Sequence, residues 1–369
     1  MTFVIQFVYE KRPTVIADTL VSLPSKFKSI KQQFTVPTYS GQDNIISDSG
    51  HLPSGLKQKI NLINEKLAVS WSGREIYARS LLERLIHENS QQEDVFQVIN
   101  EFMNELGPKG DDLQINVLSL DGINLHQAHW NMESVPVHPF GEVTYGGSGQ
   151  GDMIGYLASL GCDLDKTYPM SAKTRSETVF YHVLGTFFSA FSTSYISGWG
   201  LKNSWGGPLE LLYSNGAALE KLDDYLIVFW FAVHESDKSA KFGFLKRIIK
   251  VKYVADLLIM KVVEFSDKGP GSEKYFVSEP LINMSKRPDV ITTDDISWES
   301  KKVYHFIRVH NHPSLIVSGS ISNWDEFSKD CSIHGYGKNV GFSYSTDFPK
   351  KRLLEMGYEN LNSYEFLKK

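Results

Sequence analysis

Thr2 stands one cleavage away from becoming both a nucleophile and its own base. An initiator methionine is removed when the next side chain is small, so processing is expected to leave Thr2 with a free α-amine beside its hydroxyl. A hydroxyl attacks a carbonyl poorly near neutral pH until a base takes its proton. An α-amine, with a reference pKa of about 7.7–8.0, can do that without a histidine. The same residue also fits an ordinary processed N-terminus.

Other chemistry-bearing residues point less far. His126, His129 and His138, and further on His305, His310 and His312, invite a metal reading. On a strand, however, positions 126 and 129 face opposite sides, and no cysteine or carboxylate is spaced to complete a ligand set, so no metal is expected. The run Tyr145-Gly146-Gly147-Ser148-Gly149-Gln150-Gly151 precedes a helical stripe and could cradle a phosphate at a helix N-terminus, but no Walker lysine follows. No cofactor is expected. Cys162 and Cys331 are too few for a disulfide framework and lack metal spacing, which fits a reducing cytoplasm.

The elements that would position Thr2 can be read from periodicity. Phe3, Ile5 and Phe7 alternate with Thr2, Val4 and Gln6, residues 9–13 read as a polar turn, and Thr14 to Asp18 read as a second strand, giving a hairpin that begins at residue 2. Lys57 to Ile63 leads through Asn64-Glu65-Lys66 into Leu67 to Gly73, another strand pair. Ala78, Leu81, Leu82, Leu85 and Ile86 then mark one amphipathic helix, and Val95, Val98, Ile99, Phe102, Met103 and Leu106 mark a second after Asp94. Leu113 to Leu120 reads as a strand with Asp121-Gly122 as a hairpin turn. Helical stripes recur at Met153, Tyr156, Leu157 and Leu160, and from Phe180 to Phe191. The Pro- and Gly-bearing stretch between Asp18 and Lys59 reads as a long loop or insertion.

This order of parts resembles the proteasome β-subunit family of N-terminal-nucleophile hydrolases, including its bacterial HslV-like relatives. Members begin with Thr, end the second strand with Asp, continue with Lys-Val/Ile-x-x-Ile and close the next strand with Ala-Gly. Asp18 stands at the family's interval from Thr2, Lys59 heads Lys-Ile-Asn-Leu-Ile, and Gly73 ends the following strand. The resemblance implies that the Thr2 hydroxyl attacks an acyl carbon while its amine takes the proton. Lys59 would lower the pKa of the Thr2 groups, Asp18 would hold Lys59, and the Gly73 N–H would stabilise the oxyanion. Ser148 matches the first serine of the family's Gly-Ser-Gly-Ser. Taken without the resemblance, Asp18 could simply end a strand, Lys59 could be a surface charge and Gly73 a turn glycine.

The match departs from the family at Lys202-Asn203-Ser204-Trp205-Gly206-Gly207, where the family carries Asp-x-x-Ser-Gly-Gly. Lys202 stands in place of the aspartate and Trp205 in place of the serine, with Asn203 and Ser204 as candidate substitutes. The resemblance also implies a substrate pocket lined by Val21, Lys57 and Trp71, where a tryptophan floor would favour small side chains.

Composition fixes the remaining expectations. Net charge is −5, with 38 basic against 43 acidic residues and no basic stripe, which argues against nucleic acid. The longest apolar run, Tyr225 to Val233, is too short to span a bilayer and reads as a buried strand, and the apolar start lacks the marks of a signal peptide. At 369 residues two domains are expected. They are a four-layer αββα N-terminal-nucleophile domain over 1–235 and a β-rich domain over 236–369, an α+β chain overall. In the second, Ile249 to Val254, Leu257 to Phe265, Val303 to Val309 and Leu315 to Ile321 read as strands, and Arg352 to Tyr364 as a polar helix. The expected function is a cytoplasmic threonine-type amide hydrolase acting on a peptide or protein, alone or as a homo-oligomer. The alternatives are a small-molecule amidase and a non-catalytic proteasome-like binding module.

Overall fold

The computed structural model describes residues 3–9, 12–24, 51–88, 94–122, 124–149, 151–158, 205–214, 216–236, 239–266, 269–282, 296–310, 316–335, 337, 339–345 and 360–363. Contacts divide the chain into two units, the first made of Met1–Leu222, Ala255–Leu258 and Val277–Arg287, the second of the rest.

In the first unit, β1 (Val4–Tyr9) and β2 (Arg12–Asp18) form the hairpin read from the alternation, with Val4 opposite Ala17. β3 (Leu20–Pro24) pairs with β4 (His51–Leu56), so the ends of the stretch read as a loop form a two-stranded ribbon; residues 25–50 lie outside the described residues. β5 (Ile60–Asn64) and β6 (Leu67–Gly73) turn back on each other, followed by α1 (Glu75–Glu88) and α2 (Val95–Leu106). Asp94 caps α2 by accepting from the Gln97 N–H. Then come β7 (Leu113–Asp121), β8 (Asn124–Trp130), β9 (Glu133–Val137), β10 (Gly141–Gly146), helix α3 over 151–158, β11 (Leu209–Ser214) and β12 (Leu219–Lys221). The stripe from Phe180 to Phe191 lies outside the described residues.

Two sheets result, a six-stranded one in the order β12-β11-β2-β1-β10-β9 and a four-stranded one in the order β5-β6-β7-β8. Their facing sides meet through Val4, Val15, Ala17, Ala68, Leu118 and Leu212. The other face of the four-stranded sheet, carrying Val69, Trp71, Ile115 and Val117, is covered by Leu81, Leu82, Leu85, Ile99 and Phe102 of α1 and α2. β1 sits mid-sheet and is buried on both faces. Phe7 stacks edge-on against Phe140 on the side away from the second sheet, while the buried Gln6, on the other side with Val4, donates from Nε2 to Gln127 Oε1 of β8 at 2.8 Å.

The second unit is built around β13 (Tyr225–Ser236) and β14 (Ser239–Val254), which pair antiparallel, with β15 (Leu257–Ser266) and β16 (Gly269–Ser278) extending one side. β17 (Lys302–His310) runs parallel to β13 and carries β18 (Ile316–Ser322) antiparallel on its far edge. Helix α4 (Trp324–Asp330), capped by Asn323, leads into β19 (Cys331–His334), which pairs with β20 (Gly341–Tyr344). Trp230, Val263, Trp298, Phe327 and Cys331 share this unit's core. Burial pushes the Cys331 thiol up to about 12, with Asp330 adding to it, so this cysteine is an inert core residue. β21 (Asn360–Ser363) pairs with the start of β14, so the tail read as a polar helix over Arg352 to Tyr364 contains a strand near its end.

These findings overturn the expected four-layer αββα sandwich. The described structure is mostly β, 57% strand against 22% helix and spread over several sheets. The physical reason lies in the long β-branched and aromatic runs after residue 222. Strands of ten to sixteen residues such as β13, β14 and β15 pair with one another and build a large sheet of their own.

Candidate functional site

The hairpin delivers Asp18 to the end of β2, where the chain closes on itself. Phe3 donates its N–H to Asp18 Oδ1 at 2.9 Å, and the Asp18 N–H donates to the Phe3 carbonyl at 3.3 Å. The Gly206 N–H donates to the other carboxylate oxygen, Oδ2, at 2.8 Å. Lys59, just ahead of β5, crosses from the facing sheet and donates from Nζ to Asp18 Oδ1 at 2.6 Å and to the Leu20 carbonyl at 2.6 Å. The side chains are 1% and 0% exposed. Lys59 is therefore not the surface charge, nor Asp18 the plain strand terminus, that each could be in isolation.

A lone buried ion would be prohibitively desolvated, and a buried pair persists only with good geometry and further hydrogen bonds. Burial pulls the Lys59 ammonium below the ordinary lysine value, while Asp18 and then Glu210 push it back up. An ammonium has three donors, and among the described residues Lys59 uses two of them. That leaves one donor for a group that joins the pair.

Gly73 ends β6 opposite Leu113 with φ +96°. A Cβ there would lie 2.0 Å from the Asp112 carbonyl oxygen, so close strand packing alone already requires glycine. Ser148 is exposed in the turn after β10. That turn is tied to β6 through Gln114, whose Oε1 accepts from the Gly147 N–H at 2.7 Å and from Ser72 Oγ at 2.6 Å. Gln114 on β7 carried no sequence signal, because its role exists only once three strands are adjacent.

Trp205 is fully buried. Its ring stands edge-on to Phe3 at 5.9 Å and packs against Gly149, where a Cβ would come within 3.0 Å of the ring's Cδ1. Its Nε1 donates to Asp152 Oδ2 at 3.2 Å. Burial raises the Asp152 carboxyl above the usual carboxylate range, and the Trp205 N–H pulls it back. Asp152 thus brings a carboxylate to the tryptophan that departs from the family pattern. Thr2, Lys202, Asn203 and Ser204 lie outside the described residues.

Two of the three expected pocket residues share one cluster and the third lies elsewhere. Trp71 is buried against the α1 and α2 core, with Val21 partly buried on the same cluster, and Trp71 Nε1 donates to the Gln58 carbonyl at 3.2 Å. Lys57 instead lines a cavity of about 430 Å³ with Arg79, Glu83, Glu279, Pro280, Leu281 and Ile282. Lys57 Nζ meets Glu279 at 2.6 Å. Trp71 and Val21 are not among the residues that line this cavity.

The histidines whose side chains are described do not converge. His126 and His129 are exposed on β8, and buried His305 accepts from Trp230 Nε1 at 3.4 Å. Among the described residues no group of three or more His, Cys, Asp or Glu gathers to hold a metal, and no helix is long and apolar enough to cross a membrane. Comparison of the sequence with models of known protein families and with curated proteins finds no match.

Proposed function

We propose that the protein is an N-terminal-threonine amide hydrolase acting on peptide bonds, with Thr2 as nucleophile and its amine as base. The observation that carries this reading is the buried Asp18–Lys59 pair, in which Lys59 keeps one donor beyond those given to described partners. The N–H that Phe3 gives to Asp18 belongs to the amide joining it to Thr2. A desolvated cation near an amine disfavours the protonated amine and favours an alkoxide, which is what a threonine nucleophile needs.

The order of Thr2, Asp18, Lys59 and Gly73, which resembles that of proteasome β-subunits, supports the same chemistry. In this reading Gly73 N–H receives the oxyanion, and Asp18 keeps Lys59 charged and in place. Lys57 and Glu279 border the cavity that takes the substrate side chain, which favours polar or charged residues over small ones.

A second reading is a binding module without catalysis. Trp205 favours it, since a fully buried indole occupies the position where the resemblance calls for a serine. Intact mass before and after an epoxyketone, which needs both the amine and the hydroxyl of an N-terminal threonine, separates the two. Loss of Met1 and one adduct, absent in Thr2→Ala, is the expected result. Retention of Met1 on cell-made protein, or no adduct with either an epoxyketone or a smaller β-lactone, would leave the binding module.

A further inference from the structure

Behind the Asp18–Lys59 pair lies a second buried carboxylate that the proposed chemistry does not use. Glu210, on β11, is 1% exposed and points from the six-stranded sheet into the facing β5 edge. Its Oε2 accepts the backbone N–H of Lys59 at 2.5 Å and that of Ile60 at 3.1 Å. Its Oε1 meets Lys221 Nζ of β12 at 3.0 Å, and the same ammonium donates to Gln58 Oε1 at 3.0 Å. Gln58 in turn donates from Nε2 to the carbonyls of Asp256 and Ser278.

Three consecutive residues, Gln58, Lys59 and Ile60, are thus fastened to one carboxylate–lysine couple. Such a cost in buried charge is hard to explain by stability alone, because apolar residues of the same volume usually serve at least as well. β11 is also the strand hydrogen-bonded to β2, with Glu210 opposite Ala17 and Leu209 opposite Asp18. The two carboxylates that face Lys59 therefore come from adjacent positions on neighbouring strands.

We infer that Glu210 is a positioning residue for Lys59: it fixes the backbone at Lys59 and Ile60 and, with Asp18, supplies the negative charge that keeps the buried ammonium charged, while Lys221 sets how much of that charge Lys59 feels. The inference deepens the proposed function and rests on it for the use made of Lys59. Among the described residues the charged groups facing Lys59 are Asp18 from β2 and Glu210 from β11, with Lys221 from β12 behind Glu210. Lys57 is turned to Glu279.

The test is the titration of Lys59 followed by NMR of the full chain labelled at lysine Cε and Nζ, assigned with Lys59→Met. Glu210→Gln keeps an acceptor for the two N–H groups but removes the charge, so the Lys59 midpoint moves down. Lys221→Met leaves Glu210 unneutralised, so the midpoint moves up. Opposite shifts support the inference, since general loosening of the fold moves both variants the same way. Shifts of the same sign, or none, overturn it. Should Glu210→Gln not fold, Lys221→Met is read beside Lys221→Arg, which keeps the charge: an upward shift in Lys221→Met alone supports the inference, and equal shifts or none overturn it. Epoxyketone labelling of the wild-type chain is read separately: opposite shifts without an adduct sink the hydrolase reading alone, and an adduct without shifts sinks this inference alone.

Discussion

Lys59 in the first unit and Lys250 in the second are both fully buried lysines paired with an aspartate, yet they are finished differently. Lys250 donates to Asp224, to the Glu299 carbonyl and to Ser300 Oγ, which accounts for all three of its protons. Lys59 gives two of its three to described partners. The Asp18 carboxylate is 0% exposed and also holds two backbone N–H groups, whereas Asp224 is 17% exposed. The two lysines thus differ in how many of their protons described partners accept, and the proposed function gives the remaining Lys59 proton to the nucleophile. A third buried lysine, Lys261, meets Glu273 at 2.8 Å and lies 4.1 Å over the Trp298 ring, a cation–π contact that neither of the other two makes among the described residues.

The largest effects are expected on stability. Asp18→Ala strands the Lys59 charge and two backbone N–H donors in the core and should cost about 3–5 kcal/mol, read from urea unfolding. Asp224→Ala should cost less, because water reaches that carboxylate and Lys250 keeps two acceptors. An equal or larger loss at Asp224 would break the comparison.

Reactivity should divide the two lysines more cleanly. Lys59→Met is expected to slow epoxyketone labelling at Thr2 by about a hundredfold or more, the scale of losing one preorganised electrostatic group. Lys250→Met should leave the labelling rate unchanged. Equal slowing by both would mean that Lys59 has no special part in the chemistry.

A pH series sharpens what the lysines share. Burial lowers both Lys59 and Lys250 below the ordinary lysine value. Above those lowered values and up to about 10.4, the unfolded chain binds more protons than the folded one, so stability rises with pH across that window. Either Lys→Met variant should flatten part of the rise, and a rise unchanged in both variants would contradict the assignment. The smallest effect belongs to Trp205→Phe, which keeps the buried ring but loses one hydrogen bond, about 1 kcal/mol. The Asp152 midpoint should move upward, since the Trp205 N–H is what lowers it.

Local pattern carried a good part of this. Alternation over residues 3–18 marked the first hairpin, and the spacing of Ala78 to Ile86 and of Val95 to Leu106 marked α1 and α2. Periodicity reports which face of an element is apolar, and these elements lie against a core on such a face. The resemblance to proteasome β-subunits implied that Asp18 holds Lys59, and the structure joins them at 2.6 Å. Layering was not legible. Nothing local distinguishes a strand of a small mixed domain from one of a seven-stranded sheet, and β13 to β18 assemble by pairings such as parallel β13 with β17 that link distant segments.

What the sequence by itself determined is the chemistry on offer and the local period of the strands and helices, because side-chain type and spacing are properties of adjacent residues. What only the tertiary structure decided is which charges are desolvated together. Glu210, Gln114 and Asp152 look like ordinary polar residues in the chain. They acquire roles because tertiary packing across long separations carries Glu210 to the Lys59 backbone, Gln114 to the Ser148 turn and Asp152 to the Trp205 indole, and around the buried Glu210 protein donors stand in for water.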